Sequence, residues 1–104
     1  MREALPNRRA GEHFEFFYRN ALYAVTVGFY DDGRPAEVFV NMEKLGTGPD
    51  SDARDIAILI SFALQHGVSL EVLCRAMTRE GTGEASGLGG EILDQVTRFL
   101  EGRQ

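Results

Sequence analysis

The sequence holds one cysteine, no tryptophan and three prolines in 104 residues. A single cysteine excludes an internal disulfide and cannot by itself build a structural zinc site. Long hydrophobic runs are also missing. The longest unbroken apolar stretches, Ile56 to Ile60 and the equally long Ala21 to Val25, are far short of the roughly 20 residues that span a bilayer. The opening "MREALPNRRAGEHFEF" has no apolar segment suited to a signal peptide. The expectation is a cytoplasmic protein with no membrane partner. Basic charge is in deficit: 11 Lys and Arg stand against 16 Asp and Glu, a net charge of −5. A phosphate backbone is bound by clustered cations, so nucleic acid is not an expected partner. Arg8-Arg9, the densest basic spot, reads as a solvated arm.

What is present is the composition of an ordinary globule, 43% hydrophobic and 26% charged. A chain of this length reads as a single domain over residues 1–104, able to hide roughly two-thirds of its unfolded surface. The expected strands occupy about 12–42. "EHFEFFYR" alternates, with Phe14, Phe16 and Tyr18 on one face and His13, Glu15, Phe17 and Arg19 on the other. "LYAVTVGFY" places Tyr23, Val25, Val27 and Phe29 together, and "AEVFVNM" aligns Ala36, Val38, Val40 and Met42. "DDGRP" supplies the turn between them. Short connections make an antiparallel meander the economical topology. Eight of the ten aromatic residues precede Met42. Neither side of the second strand is plainly polar, which implies that both sheet faces are covered, one by helices and the other by a second copy or a partner. Phe17, Tyr23 and Tyr30 are the candidate contact residues, and a homo-oligomer, with a dimer favoured, is expected.

The second half, about 51–101, is helical. Asp50, Ser51 and Asp52 offer alternative N-caps to a first helix ending near Gln65. Ile56, Leu59, Ile60, Ala63 and Leu64 form its main apolar stripe. Ile58 and Phe62 widen that stripe almost all round, which predicts a centrally packed helix. A second helix follows Ser69, and a third carries Leu88, Ile92, Val96, Phe99 and Leu100 on its buried edge. Between them "EGTGEASGLGG" predicts a mobile loop. The fold class is therefore α+β: a three-stranded antiparallel β-meander followed by three α-helices packed on the sheet.

Chemistry is sparsely marked. "KLGTGPDS" could offer backbone amides and a cation to an anion, through Lys44, Gly46, Thr47, Gly48 and Ser51. It is not a P-loop, and Asp50 and Asp52 crowd the place a phosphate would take. No carboxylate pair is marked as acid and base. His66 and Cys74 are the remaining pair able to do nucleophilic, redox or metal chemistry. Each also has a structural reading. His66 ends a helix, Gly67 turns the chain in the left-handed conformation, Ser69 caps the next helix, and Val68 can staple to Leu73. No catalytic residue, metal site or cofactor is assigned.

Three segments in order, "LPNRRAGEHFEF", "YAVTVGFYDDGRPAEVFVNMEKLG" and "DARDIAILISFALQHGVSLEVL", resemble the TSCPD domain. That domain is known chiefly as a segment near the C-terminus of cobalamin-dependent (class II) ribonucleotide reductases. The resemblance runs over residues 5 to 79, with "DGRPAEVFV", "NMEKLG" and "SFALQHGVSLE" its most specific pieces. The Thr-Ser-Cys-Pro-Asp motif that names the family is missing, and Cys74 stands alone. The resemblance implies a free-standing, reductase-associated module in deoxyribonucleotide synthesis and DNA replication, and carries over no catalytic residue. The expected function is a non-catalytic accessory or interaction domain, with a ribonucleotide reductase subunit as the possible partner. The alternatives are a small-ligand domain using residues 44–51, and a redox or metal role for Cys74 with His66.

Overall fold

A computed structural model describes residues 1–5, 11–43 and 48–103. The strands are β1 (Gly11–Tyr18), β2 (Ala21–Phe29) and β3 (Pro35–Met42), and they form one antiparallel sheet in the order β1-β2-β3. The helices are α1 (Gly48–Gln65), α2 (Leu70–Ala76) and α3 (Leu88–Glu101). The meander and the three following helices are those the sequence leads one to expect.

Alternation sets the sheet's two faces. Phe14 pairs with Val25 and Phe16 with Tyr23, while Val25 and Val27 pair with Val40 and Val38. These side chains, with Phe29, form the inner face and pack against Ala53, Ala57, Ile60 and Leu64 of α1 and Ile92, Leu93 and Val96 of α3. The β1–β2 hairpin turns on two residues, Arg19 and Asn20, both at positive φ (49° and 64°). That is the primed turn whose twist matches antiparallel strands. The β2–β3 turn uses Gly33 at φ 94°, closed by the Tyr30 amide donating to the Arg34 carbonyl at 2.8 Å.

α1 lies along the outer edge of β3 and replaces a fourth strand there. The Met42 amide donates to Asp50 Oδ1 (3.0 Å), Ser61 Oγ bonds both backbone groups of Val38, and Gln65 Nε2 donates to the Ala36 carbonyl (3.1 Å). Residues 42 to 36 of a strand cover about 20 Å and residues 50 to 65 of a helix about 22 Å, so the two keep step along their lengths. Small side chains at Ala53 and Ala57, both buried, allow the close approach.

Two expectations about α1 are corrected. It begins at Gly48, so Asp50 lies in its first turn and spends its carboxylate on β3. Nor is it centrally packed: Leu59 is exposed, and Ile58 and Phe62 keep 52% and 46% of their surface. The buried stripe is Ala53, Ala57, Ile60 and Leu64, because only the side toward β3 and α3 is covered.

The corner between α1 and α2 follows its sequence signals. The Val68 amide donates to the Ala63 carbonyl (3.0 Å) and the Gly67 amide to the Leu64 carbonyl (3.1 Å), with Gly67 at φ 92°. These two bonds define a Schellman motif. Ser69 Oγ then accepts from the Val72 amide as the N-cap of α2. Between α2 and α3 the glycine-rich segment is a bonded turn. Arg79 and Ala85 form a bridge, the Ser86 amide donates to the Thr78 carbonyl, and the Glu80 amide to the Glu84 carbonyl.

Candidate functional site

Lys44, Gly46 and Thr47 lie outside the described residues. Of the same expected anion site, Gly48 is the first residue of α1 and Ser51 is exposed one turn on. The cleft next to them, about 630 Å³, is bordered by Tyr18, Tyr23, Met42, Pro49, Asp52 and Asp55 among others. Burial, then the neighbouring Tyr18, pushes the Tyr23 hydroxyl up. The Tyr18 hydroxyl is buried and has no hydrogen-bond partner among the described residues.

His66 and Cys74 are given different neighbours. His66 Nδ1, just past the end of α1, sits 2.8 Å from the Phe62 carbonyl of that helix, and the ring is exposed. Cys74 Sγ is half-buried and lies 3.4 Å from Thr97 Oγ1 of α3. The strongest polar feature beside the thiol is Arg79, which holds Asp94 through two bonds (2.6 and 2.9 Å) and also donates to the Cys74 carbonyl (2.9 Å). Those bonds from Arg79 hold the Asp94 carboxyl below the usual carboxylate range, against the opposing pull of burial. The pair locks the end of α2 to α3. Among the described residues no group of three His, Cys, Asp or Glu is placed to hold a metal ion. Among the described residues no helix is long and apolar enough to cross a membrane.

The three aromatic contact candidates separate. Phe17 is on the outer face of the sheet and 75% exposed. Tyr23 and Tyr30 are buried and offer no side-chain surface, which corrects their assignment to a contact surface. Tyr23 belongs to the inner face and stacks on Phe16, with ring centres 5.2 Å apart. Tyr30 is held by its hydroxyl donating to the Glu3 carbonyl and by the Arg34 guanidinium 4.8 Å from its ring centre.

The exposed apolar surface instead gathers where β3, α1 and the N-terminal residues meet. A groove of about 500 Å³ runs there, walled by Leu5, Phe39, Ile58 and Phe62, with Arg2 and Arg54 on its sides. Phe39 is 53% exposed. The N-terminal wall is fixed: the Glu3 amide donates to the Gln65 carbonyl (2.7 Å), Arg2 bonds the Gln65 side chain, and its guanidinium lies 5.2 Å from the Phe62 ring centre. Glu3 also pairs with Arg34 at 2.9 Å. Phe39, Ile58 and Phe62 were legible in sequence only as apolar positions. The available signal was a second stripe on α1, Asp50, Arg54, Ser61 and Gln65 at helical spacing, which says that one flank of the helix meets a polar strand edge.

Comparison with known proteins accounts for nearly the whole chain. The TSCPD domain family matches residues 6–103. The vitamin B12-dependent ribonucleotide reductase of Bradyrhizobium diazoefficiens is 36% identical over 107 residues, covering 95% of this chain and 8% of the reductase. That of Agrobacterium fabrum is 38% identical over 102 residues, covering 96% of this chain and 8% of its own length. The Rhodopirellula baltica enzyme is 30% identical over 106 residues, or 95% of this chain and 10% of that protein. The chain thus spans a tenth or less of the length of these relatives. No solved structure matches. Matched from residue 6 to residue 103, the chain belongs to the TSCPD domain family.

Proposed function

We propose that this domain is a non-catalytic accessory module of deoxyribonucleotide synthesis that works by protein contact, its partner being a vitamin B12-dependent ribonucleotide reductase. The observation that carries the reading is the apolar groove of Phe39, Ile58 and Phe62, walled by an ordered N-terminal segment. Large apolar side chains grouped at a surface mark contact sites more often than single exposed ones do. In the relatives the matched domain is a tenth or less of a reductase, so the remaining protein is the natural surface for that groove to meet. Arg2 and Arg54 at its sides suit a partner segment that combines apolar and acidic residues. The test is binding of the domain to such a reductase from which the equivalent segment has been removed. Retention that is lost on Phe62→Asp supports the reading, and no binding by the unaltered domain removes it.

A second reading, small-ligand binding beside the start of α1, is favoured by the Tyr18 hydroxyl, without a partner among the described residues, in the wall of the cleft next to Pro49. Asp52 and Asp55 on the same cleft oppose a phosphate. Thermal-shift screening with nucleotides decides it, because a ligand at a hundred times its Kd stabilises by about 2.7 kcal/mol. No shift with any nucleotide ends that reading.

A further inference from the structure

The two edges of the sheet are treated differently. β3 is sealed by Asp50, Ser61 and Gln65 of α1. That seal fixes which way every strand's backbone points. Ala36, Val38 and Met42 direct their backbone groups away from β2, so Glu37, Phe39 and Asn41 bond β2. By alternation the amides and carbonyls of Tyr23, Val25 and Val27 point to β1, where they meet Phe16, Phe14 and Glu12. The remaining β1 residues, Gly11, His13, Glu15 and Phe17, therefore aim their backbone groups outward. All are exposed, and no hydrogen bond from another described residue reaches those groups.

An open edge is a template for another strand unless it is shortened, bulged, covered, or guarded by proline or charged side chains, lysine above all. β1 is eight residues long, contains no proline or lysine, pairs with β2 in unbroken register from Gly11 to Tyr18, and has Glu15 as the one acidic residue among those whose backbone faces outward. We infer that β1 pairs antiparallel with β1 of a second copy of this chain, through the outward backbone groups of Gly11, His13, Glu15 and Phe17, to make one continuous six-stranded sheet.

The residues choose the register. Outward groups must face outward groups, and a twofold axis at Phe14 is the arrangement that employs all of them. His13 of each copy then lies opposite Glu15 of the other, and Phe17 lies opposite Gly11. Shifting the axis to residue 13 sets imidazole against imidazole, and shifting it to residue 15 sets carboxylate against carboxylate. An imidazole N–H facing a carboxylate donates a hydrogen bond to it, whereas two carboxylates facing each other repel. His13 is held ready, with Nδ1 2.9 Å from Thr26 Oγ1 and Nε2 without a partner among the described residues. Phe17 opposite Gly11 covers a position that has no side chain of its own.

This edge is separate from the groove, so each can fail alone. The test is sedimentation equilibrium of the whole chain and of exposed-site variants. Expected are a reversible dimer, a Kd raised at least tenfold by either His13→Glu or Glu15→His, and recovery to within about threefold in the double swap. Mixing the two single variants should give a heterodimer, because each then supplies what the other lacks. Amide exchange should slow at Gly11, His13, Glu15 and Phe17 as concentration rises. A monomer at every concentration, or a dimer indifferent to the swaps and without that protection, overturns the pairing while leaving the reductase reading untouched.

Discussion

The hydroxyl of Ser61 holds both free backbone groups of Val38: Oγ accepts from the amide at 2.8 Å and donates to the carbonyl at 3.1 Å. One helical side chain thereby does for β3 what a neighbouring strand would do. Ser61→Ala leaves a half-buried amide and carbonyl without partners. An unsatisfied buried polar group costs about 1–3 kcal/mol, so the variant should lose about that much in urea unfolding. A loss within error of zero would mean that water replaces the hydroxyl freely.

Gly90 separates two opposed expectations. Alanine is favoured over glycine inside a helix by about 1 kcal/mol. A Cβ at residue 90, however, would stand 2.9 Å from the Ala85 Cβ and 3.4 Å from that of Met77. Ala85 is short and tied to its backbone, so the turn between α2 and α3 must move. Overpacking of this kind costs about 1–3 kcal/mol, and Gly90→Ala should be net destabilising. A rise in Tm would show that the turn yields.

The Arg79–Asp94 pair gives the fold a defined pH dependence. Asp94 is held below its ordinary value of 3.8, chiefly by the bonds from Arg79. A carboxyl depressed on folding adds stability that is complete well above 3.8 and lost as the pH falls through the folded value. The native protein should therefore exceed Asp94→Asn in Tm near neutrality, and the gap should close as the pH drops below 3.8. A gap that persists unchanged in acid would assign the effect of the substitution to packing instead.

What the sequence discloses follows from the range of each interaction. Strands with alternating Phe14, Phe16 and Tyr18 or Val25 and Val27 declare themselves within a few residues, and so does the corner at Gly67 and Ser69. The fate of α1 is not local. Ile58, Leu59 and Phe62 read as core because apolar spacing does not say which flank of a helix another element will cover. Their exposure depends on Asp50, Ser61 and Gln65 meeting the backbone of a strand up to 29 residues away. Tyr23 and Tyr30 failed as contact residues for the same reason. An aromatic on a strand suits either face, and only the register with Phe16 and the bond to Glu3 place them inside. The bonds that close the glycine-rich turn are not local either, since Arg79 and Asp94 lie on either side of it in sequence.

The most direct measurement is the affinity of this domain for a vitamin B12-dependent ribonucleotide reductase stripped of its own matching segment, read by isothermal titration. The expected result is saturable binding that Phe62→Asp weakens at least tenfold while the fold, followed by circular dichroism, is retained. Absence of binding, or binding unaffected by substitution at Phe39, Ile58 and Phe62, would contradict a role through this groove.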